Sequence, residues 1–587
     1  MNTLSSMKYA SKKINVFLSN FFKQKHTPFF GMNTKLKNIL FIKMDVLVDK
    51  IKTLVRPLKR MFVEDILDRL LSRSIKSKRL SAEAKQRVLP KSKGKVLFNT
   101  QYHWHYSWVD YSIAAALKYR GFDTAIFLCD GLPYCEYETV SIKRPSCNRC
   151  YRLTKRHTDA FGLNSYRMSD FINSKNRKDC YNFAYRSPIN KLRYFKKDGI
   201  NIGEIAYHNF LHYYKGVYEI SKDKETMFRK CVYSGLLISI ATEKLIKFYK
   251  PSKVVTPNGK FIQSAILIEF AKKFRLPYYT WDVFTQNTST CFAKNEISHD
   301  QRIDDLWDSL KEKKLSEQEN IKVEEYFKLQ SESKNTPYQY YNKKSVIKDE
   351  SIIRNKLGLH KSKKIISLFT NVGWDSTALG LNTAYSSMQD WVFSMIEFVQ
   401  NNPEFELVVR AHPGELKVPY SLRTTTPICD AIIKELEHLP SNLHLIGPAE
   451  NISSYSLAQL SDVVMVYSST LGIEFSVSGI RPWVAANPYY SNKGFTVDIH
   501  SHNHAKSILK ENIPSKYLTD QEIELAKKFA YVVKFRRLFS FPLLSSDGKF
   551  LLKKYEDLLT DGNFVIENIC QFIDDKRSYI DIGLIND

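Results

Sequence analysis

The 587 residues are 43% hydrophobic and 13% aromatic, a composition that excludes a disordered tail or a coiled coil, and the length calls for at least two domains. With 88 Lys and Arg against 61 Asp and Glu, the formal net charge is +27, which directs attention to anionic partners: nucleic acid, anionic lipid or phosphorylated substrates. Residues 1–93 carry 22 basic and 6 acidic side chains, a net +16, so the charge concentrates in one extension and the body lacks an RNA-binding signature, which argues against a nucleic-acid partner.

Taken in chain order, apolar residues recur at helical spacing among the basic ones between Lys8 and Arg87, as in Phe62, Ile66, Leu70 and Leu71. This reads as a basic amphipathic helical extension over 1–93, either packed on the body or docked on an anionic membrane surface. It lacks an apolar core with a cleavage site, and no run of about 18 apolar residues follows anywhere in the chain, so neither a secretory signal nor a membrane span is expected. The expected location is cytoplasmic, peripheral at the inner face of the cytoplasmic membrane.

An N-terminal domain over 94–300 begins with a strand at Lys95–Asn99, a helix at Val109–Tyr119 closed by Gly121, and a strand at Thr124–Cys129, the pattern of a parallel βαβ unit. Asp130 to Lys230 resists detailed assignment. Regularity returns with a helix at Val232–Tyr249, a strand at Lys253–Thr256, a helix at Phe261–Phe274 and a strand at Pro277–Thr280. A polar stretch over 301–350 reads as an interdomain helix and linker. The domain at 351–505 alternates more cleanly. Its strands fall at Ile365–Phe369, Phe405–Arg410, Leu443–Ile446, Val463–Tyr467 and Trp483–Ala486, and its helices at Met388–Gln400, Ile428–Leu439, Ser454–Leu460 and Leu471–Ser478. Residues 506–587 are expected to form a helical tail packing back across the domains. The fold class is therefore α/β, with two Rossmann-like doubly wound parallel sheets facing a cleft.

In such sheets ligands sit beyond the carboxyl ends of the strands. The loops there are Thr370–Asp375, Arg410–Glu415, Gly447–Asn451 and Tyr467–Thr470, and each holds polar groups suited to a phosphorylated nucleotide. Ser468, Ser469 and Thr470 lie between a buried strand and a helix, where backbone N–H groups, hydroxyls and the positive end of the helix dipole suit a phosphate. Glu474, one turn further on, is placed for ribose hydroxyls, and His412 for a phosphate oxygen or a base carbonyl. Taken singly, the Ser-Ser-Thr run is an ordinary N-cap and His412 a buried, hydrogen-bonded histidine. Their joint position on adjacent strand ends favours a nucleotide site.

The runs N-V-G-W-D, L-V-V-R-A-H-P-G-E, V-Y-S-S-T-L-G-I-E-F-S-V-S-G-I-R-P and N-K-G-F-T resemble the capsule polysaccharide biosynthesis family of glycosyltransferases, related to the Kdo transferases and the polysialyltransferase-like enzymes. The resemblance is strong from about Lys364 to Asp498 and looser over Val96–Cys150 and Pro251–Asp282. It implies the GT-B fold and a nucleotide-binding set of Arg410, His412, Glu415, Ser468, Ser469, Thr470 and Glu474, with Asn371 and Asp375 in the cleft-facing loop. It also implies transfer of a sugar from a nucleotide-activated donor, a CMP-sugar such as CMP-Kdo or CMP-sialic acid ahead of UDP- or GDP-sugars, to a glycan or lipid-linked glycan acceptor.

The general base that this chemistry requires is expected from the N-terminal domain, in the order Asp130, His103, His105, with Asp282 behind them. Asp130–Gly131 resembles the acidic residue and Gly of polysialyltransferase-like enzymes. Cys147 and Cys150 have zinc-ligand spacing, so Cys129, Cys135, Cys147 and Cys150 are either thiols of a reducing compartment or a structural zinc site. No D-x-D signature suits a metal-bound sugar nucleotide, and no cofactor is expected. The alternatives are a glycerophosphotransferase using CDP-glycerol and a non-catalytic polysaccharide export or assembly partner.

Overall fold

The computed structural model describes residues 66, 68–84, 92–100, 106–135, 147–284, 289–300, 303–332, 346–418, 422–545, 550–559, 563–578 and 580. Most of the basic extension expected over 1–93 lies outside these residues. Its final part, residues 74–84, is helical and belongs with the body. Lys78 Nζ donates to the Leu552 carbonyl at 2.6 Å, Arg79 to the Asp159 carbonyl at 2.8 Å, and Glu83 accepts from the Tyr119 hydroxyl at 2.9 Å.

The N-half sheet contains β1 (Lys95–Thr100), β2 (Asp123–Leu128), β3 (Asn164–Arg167), β4 (Lys253–Pro257), β5 (Tyr278–Phe284) and β6 (Ser289–Lys294). It takes a seventh strand, β13 (Phe539–Ser540), from the tail, giving the order β13-β6-β5-β4-β1-β2-β3. The expected parallel arrangement holds from β3 to β5. β6 runs antiparallel to β5, and β13 antiparallel to β6.

The C-half sheet is parallel throughout, with β7 (Lys364–Phe369), β8 (Phe405–Arg410), β9 (Leu443–Ile446), β10 (Val463–Val466), β11 (Pro482–Val484) and β12 (Val497–Asp498) in the order β12-β11-β10-β7-β8-β9. Both its faces are covered, so its strands are largely apolar runs whose alternate residues enter different cores. Ile365 and Phe369 of β7 join one core with Val464 and Val466, while Ile366 and Leu368 join the other with Val463 and Met465. The first core also takes in Leu306, Trp307, Val323, Phe327 and Ile353, so the helices of the expected linker pack on this half.

In each sheet the strand order reverses at one point, between β1 and β4 in the N-half and between β7 and β10 in the C-half. Side-chain amides mark both places. Asn99 donates to Thr256 Oγ1 at 3.2 Å, and Asn371 Oδ1 accepts from the Ser468 N–H at 3.1 Å. These crevices are where a doubly wound sheet offers its loops to a ligand.

After the helix Asp520–Tyr531, which packs against Leu471–Val477, the chain makes one π-helical turn at Val532–Arg537 and enters the N-half sheet as β13. The helix Phe564–Ile573 then lies on Tyr106–Tyr119. Arg120 pairs with Glu567 at 2.7 Å, and Lys253 Nζ donates to the Ile573 carbonyl at 2.7 Å.

Candidate functional site

The C-half switch point is built by loops that hold one another in place. Thr370 bonds to the Arg410 carbonyl through its N–H at 3.2 Å, and its hydroxyl oxygen accepts from the His412 N–H at 3.2 Å. His412 Nδ1 accepts from the Gly414 N–H at 2.9 Å, which leaves the ring proton on Nε2. Burial first, and Arg410 second, depress His412 to about 4, so at neutral pH it is a neutral Nε2–H donor. The Ser468 hydroxyl donates to the Thr377 carbonyl at 3.2 Å, and Ser469 Oγ accepts from the Leu471 N–H at 3.3 Å. Both serines are buried, whereas Thr470 is exposed. The loop approaches Tyr490 so closely that a Cβ on Gly472 would collide with the phenol ring.

Three of the expected nucleotide contacts have other partners in this structure. The Arg410 guanidinium is buried and donates to the carbonyls of Gly447 at 2.8 Å, Glu450 at 3.2 Å and Ile452 at 3.4 Å. It shapes the loop after β9, because a planar fork can gather several carbonyls at once. Glu415 is buried under the start of the helix Ile428–Glu435, accepts from the Ile428 N–H at 3.2 Å, and is raised to about 8 by burial. Glu474 is 5% exposed and faces inward. It accepts from the Tyr455 hydroxyl and from Thr470 Oγ1 at 3.0 Å, and burial raises its pKa. One turn into the helix Leu471–Val477, its carboxylate is held by Tyr455 and Thr470.

The N-half reaches this crevice with the helix Ile202–Tyr214 and the residues after it, none of which the sequence singled out. Lys215 and Gly216 take left-handed conformations at the helix end, with φ of 53° and 88°. The carbonyls of Tyr214 and Lys215 accept from the Thr425 hydroxyl at 2.6 Å and its N–H at 2.9 Å. Trp374, in the loop after β7, sits within the N-half core together with Leu379. Its indole N–H donates to Thr424 at 3.0 Å, the His212 ring meets it edge-on at 5.4 Å, and the Lys215 ammonium lies 4.2 Å over its face. A Cβ on Gly373 would strike the Tyr218 hydroxyl, so the two halves are in van der Waals contact here. Asp375 acts electrostatically on both Lys215 and His412, which places groups from both halves around one carboxylate.

Further along the N-half, Lys260 pairs with Asp300 at 2.6 Å and donates to the Leu379 carbonyl at 2.8 Å. Asp282, 1% exposed, accepts from the Asn258 side chain at 2.8 Å and from the Val283 N–H at 2.8 Å, and Asn258 in turn accepts from the Lys260 N–H at 3.0 Å. Asp282 thus braces the turn that precedes Lys260. Asp130 follows β2 and is partly buried, with one carboxylate oxygen accepting from the Ser169 N–H at 3.1 Å and the other from the Ser169 hydroxyl. His103 and His105, which follow β1 in sequence, lie outside the described residues.

The thiols of Cys135, Cys147 and Cys150 all act on Cys129, whose own thiol burial pushes up to about 12. No group of three or more His, Cys, Asp or Glu among the described residues has metal-holding geometry.

Neither a protein-family model nor a curated protein sequence matches the chain. Among solved structures it is similar to the Thermosulfurimonas dismutans KpsC β-Kdo 2,4-transferase, with 18% identity over 47% of this chain and 79% of that one and a TM-score of 0.31. It is also similar to the spinosyn rhamnosyltransferase SpnG, with 10% identity over 75% and 95% of the two chains and a TM-score of 0.20. A third, the UDP-GlcNAc 2-epimerase from Neisseria meningitidis, has 12% identity over 75% and 98% and a TM-score of 0.22.

Proposed function

We propose that this chain is a glycosyltransferase of GT-B type, moving a sugar from a nucleotide-activated donor, a CMP-sugar ahead of UDP- or GDP-sugars, to a surface or capsular polysaccharide acceptor. The observation that carries the reading is the C-half switch point. There the hydrogen bond between the Ser468 N–H and Asn371 joins two strand ends, a neutral His412 keeps its Nε2 proton, and the N-half packs on the loop after β7 at Gly373 and Trp374. The sequence runs that resemble capsule glycosyltransferases fall on these same loops.

In the proposed reaction the acceptor hydroxyl attacks the anomeric carbon, the bond from that carbon to the phosphate oxygen breaks, and the nucleotide leaves with the electron pair. Asp130 takes the acceptor proton, with His103 and His105 next in order. The His412 Nε2–H and the loop amides stabilise the charge that develops on the leaving phosphate, worth most in a site shielded from water, so the transfer is expected to run without a metal. No helix among the described residues is long and apolar enough to cross a membrane, and the basic extension would hold the enzyme at the inner membrane face, near a lipid-linked acceptor.

Nucleotide release measured with a panel of CMP-, UDP- and GDP-sugars and CDP-glycerol tests the reading. Release from a sugar nucleotide supports it. Release from CDP-glycerol alone replaces it with glycerophosphate transfer, and absence of both release and binding overturns it.

A further inference from the structure

The cysteines divide into two sets. Cys180, Cys231, Cys291, Cys429 and Cys570 are buried, where a thiol packs as a small apolar group. Cys129, Cys135, Cys147 and Cys150 are only partly buried and gather beyond the carboxyl end of β2. Cys147 and Cys150 stand in the first turn of the helix Cys147–Ala160, on the same side as Thr154 and His157. Thr154 and His157 are buried, so the stripe surfaces at its N-terminal end, where both thiols are open to a dissolved reagent. The Thr154 hydroxyl donates to the Cys150 carbonyl at 2.9 Å, and the Tyr111 hydroxyl to the Thr154 carbonyl at 3.3 Å, which anchors the turn behind them.

Cβ atoms three residues apart on a helix lie about 5–6 Å from each other, and a disulfide draws them to about 4 Å. The bond can therefore form within one turn, and the turn must shift to form it. Gly131 is placed to feel that shift. It takes φ of 150°, and a Cβ built on it would lie 4.0 Å from the Cβ of Cys147; lacking one, it lets the helix end approach the loop after β2 directly. Its N–H donates to the Cys129 thiol. Asp130, immediately before it, is held by the Ser169 N–H at 3.1 Å and by the Ser169 hydroxyl. A Cys-x-x-Cys pair at a helix start has the spacing of dithiols that exchange with disulfides.

We propose that Cys147 and Cys150 form a reversible oxidation site, whose disulfide displaces the Asp130 loop and lowers turnover. The effect on turnover rests on the glycosyltransferase reading above; the site itself does not. The oxidant is a low-molecular-weight disulfide such as oxidised glutathione. The thiolate of one cysteine attacks a sulfur of that disulfide, its S–S bond breaks, and one small thiolate leaves and takes up a proton. The thiolate of the other cysteine then attacks the protein sulfur of the mixed disulfide and expels the second small thiol. Two protein thiols are oxidised to one disulfide while one small disulfide is reduced to two thiols.

The test equilibrates the full chain in glutathione buffers of rising oxidised fraction, quenches with an alkylating reagent, and maps the thiols by mass spectrometry, with zinc content and turnover read in parallel. Cys147 and Cys150 should lose alkylation together, at a lower oxidised fraction than the five buried cysteines, and recover it with dithiothreitol. C147S and C150S should each abolish this paired loss, and C135S should keep it. Turnover of the native protein should fall by about tenfold or more on oxidation, as a misplaced catalytic group costs, and return on reduction, while C150S stays active throughout. Full alkylation of both cysteines in the oxidising buffers, glutathione adducts alone, or a link from either to Cys129 or Cys135 would overturn the site. Bound zinc that blocks alkylation would assign the thiols to a metal and overturn it too. A disulfide between Cys147 and Cys150 with unchanged turnover would overturn the link to Asp130, whereas a protein inactive in every redox state and unable to bind a sugar nucleotide overturns the glycosyltransferase reading and leaves the thiol map to decide the site.

Discussion

His412 shows how local packing sets the chemistry of a side chain. Its Nδ1 is tied to the Gly414 N–H and its pKa lies near 4, below the 6.5 of a free histidine. A depressed folded-state value means that its stabilisation is complete above about 6.5 and is lost as the pH falls through 4. Glu415 behaves in the opposite sense. Raised from 4.5 to about 8 by burial, its contribution is complete below 4.5 and fades as the pH rises through 8. The thermal midpoint of His412→Gln should therefore decline less than the native one between pH 6.5 and 4, and that of Glu415→Gln less between pH 6 and 9. At neutral pH, His412→Ala should weaken nucleotide binding with the fold intact, checked by calorimetry and circular dichroism; unchanged affinity would remove it from the site. Asp130→Asn should lower turnover by roughly 10²–10⁴-fold with donor affinity retained. Retained turnover would move the base to His103 or His105. The place of Asn371, His412, Ser468 and Asp375 in loops after strands was legible because each loop follows a largely apolar run that reads as a buried strand. Lys215 and Tyr218 were not, since nothing in N-F-L-H-Y-Y-K-G marks a helix end that meets a second domain.

Among elements, β7 to β10 were readable almost to the residue, because a strand buried on both faces is apolar at most positions. The other misses have specific causes. β12 and β13 are two residues long and carry no periodicity. Between β3 and β4, helices such as Ser174–Arg186 bury only Cys180 and Ala184, so their sequences show no continuous apolar stripe. The helix expected over Ile428–Leu439 stops at Glu435, with Pro440 four residues beyond its C-cap. The loop between β10 and its following helix offers a test at this scale. Gly472→Ala should displace Tyr490, whose hydroxyl donates to the Ser469 carbonyl, and lower stability by about 1–3 kcal/mol as overpacking does. Chemical denaturation measures that change, and a loss of nucleotide affinity alongside it would tie the loop to the site.

For the whole molecule, the charge of the extension can be separated from the body. Because Arg79 and Glu83 pack on the N-half, a deletion of residues 1–73 is the cut that spares the fold. The truncated protein should leave anionic vesicles in a sedimentation assay while still transferring to a soluble acceptor, and binding by the full chain should weaken as salt rises. Sedimentation unaffected by the deletion would assign membrane attachment to the body.

The return of the tail to the N-half also sets an order of events during synthesis. Thr290 on β6 waits for Phe539, 249 residues later, and the Ile573 carbonyl that receives Lys253 comes later still. At 5–20 residues per second the ribosome needs roughly 10–50 s to cover that interval, during which β6 is an unpaired sheet edge open to wrong partners. The C-half, whose strands are all local in sequence, can close first although it is made second. Chains truncated after residue 540 and freed from the ribosome should accordingly show a protease-resistant C-half attached to a cleavable N-half, and resistance of the N-half should require the last helix.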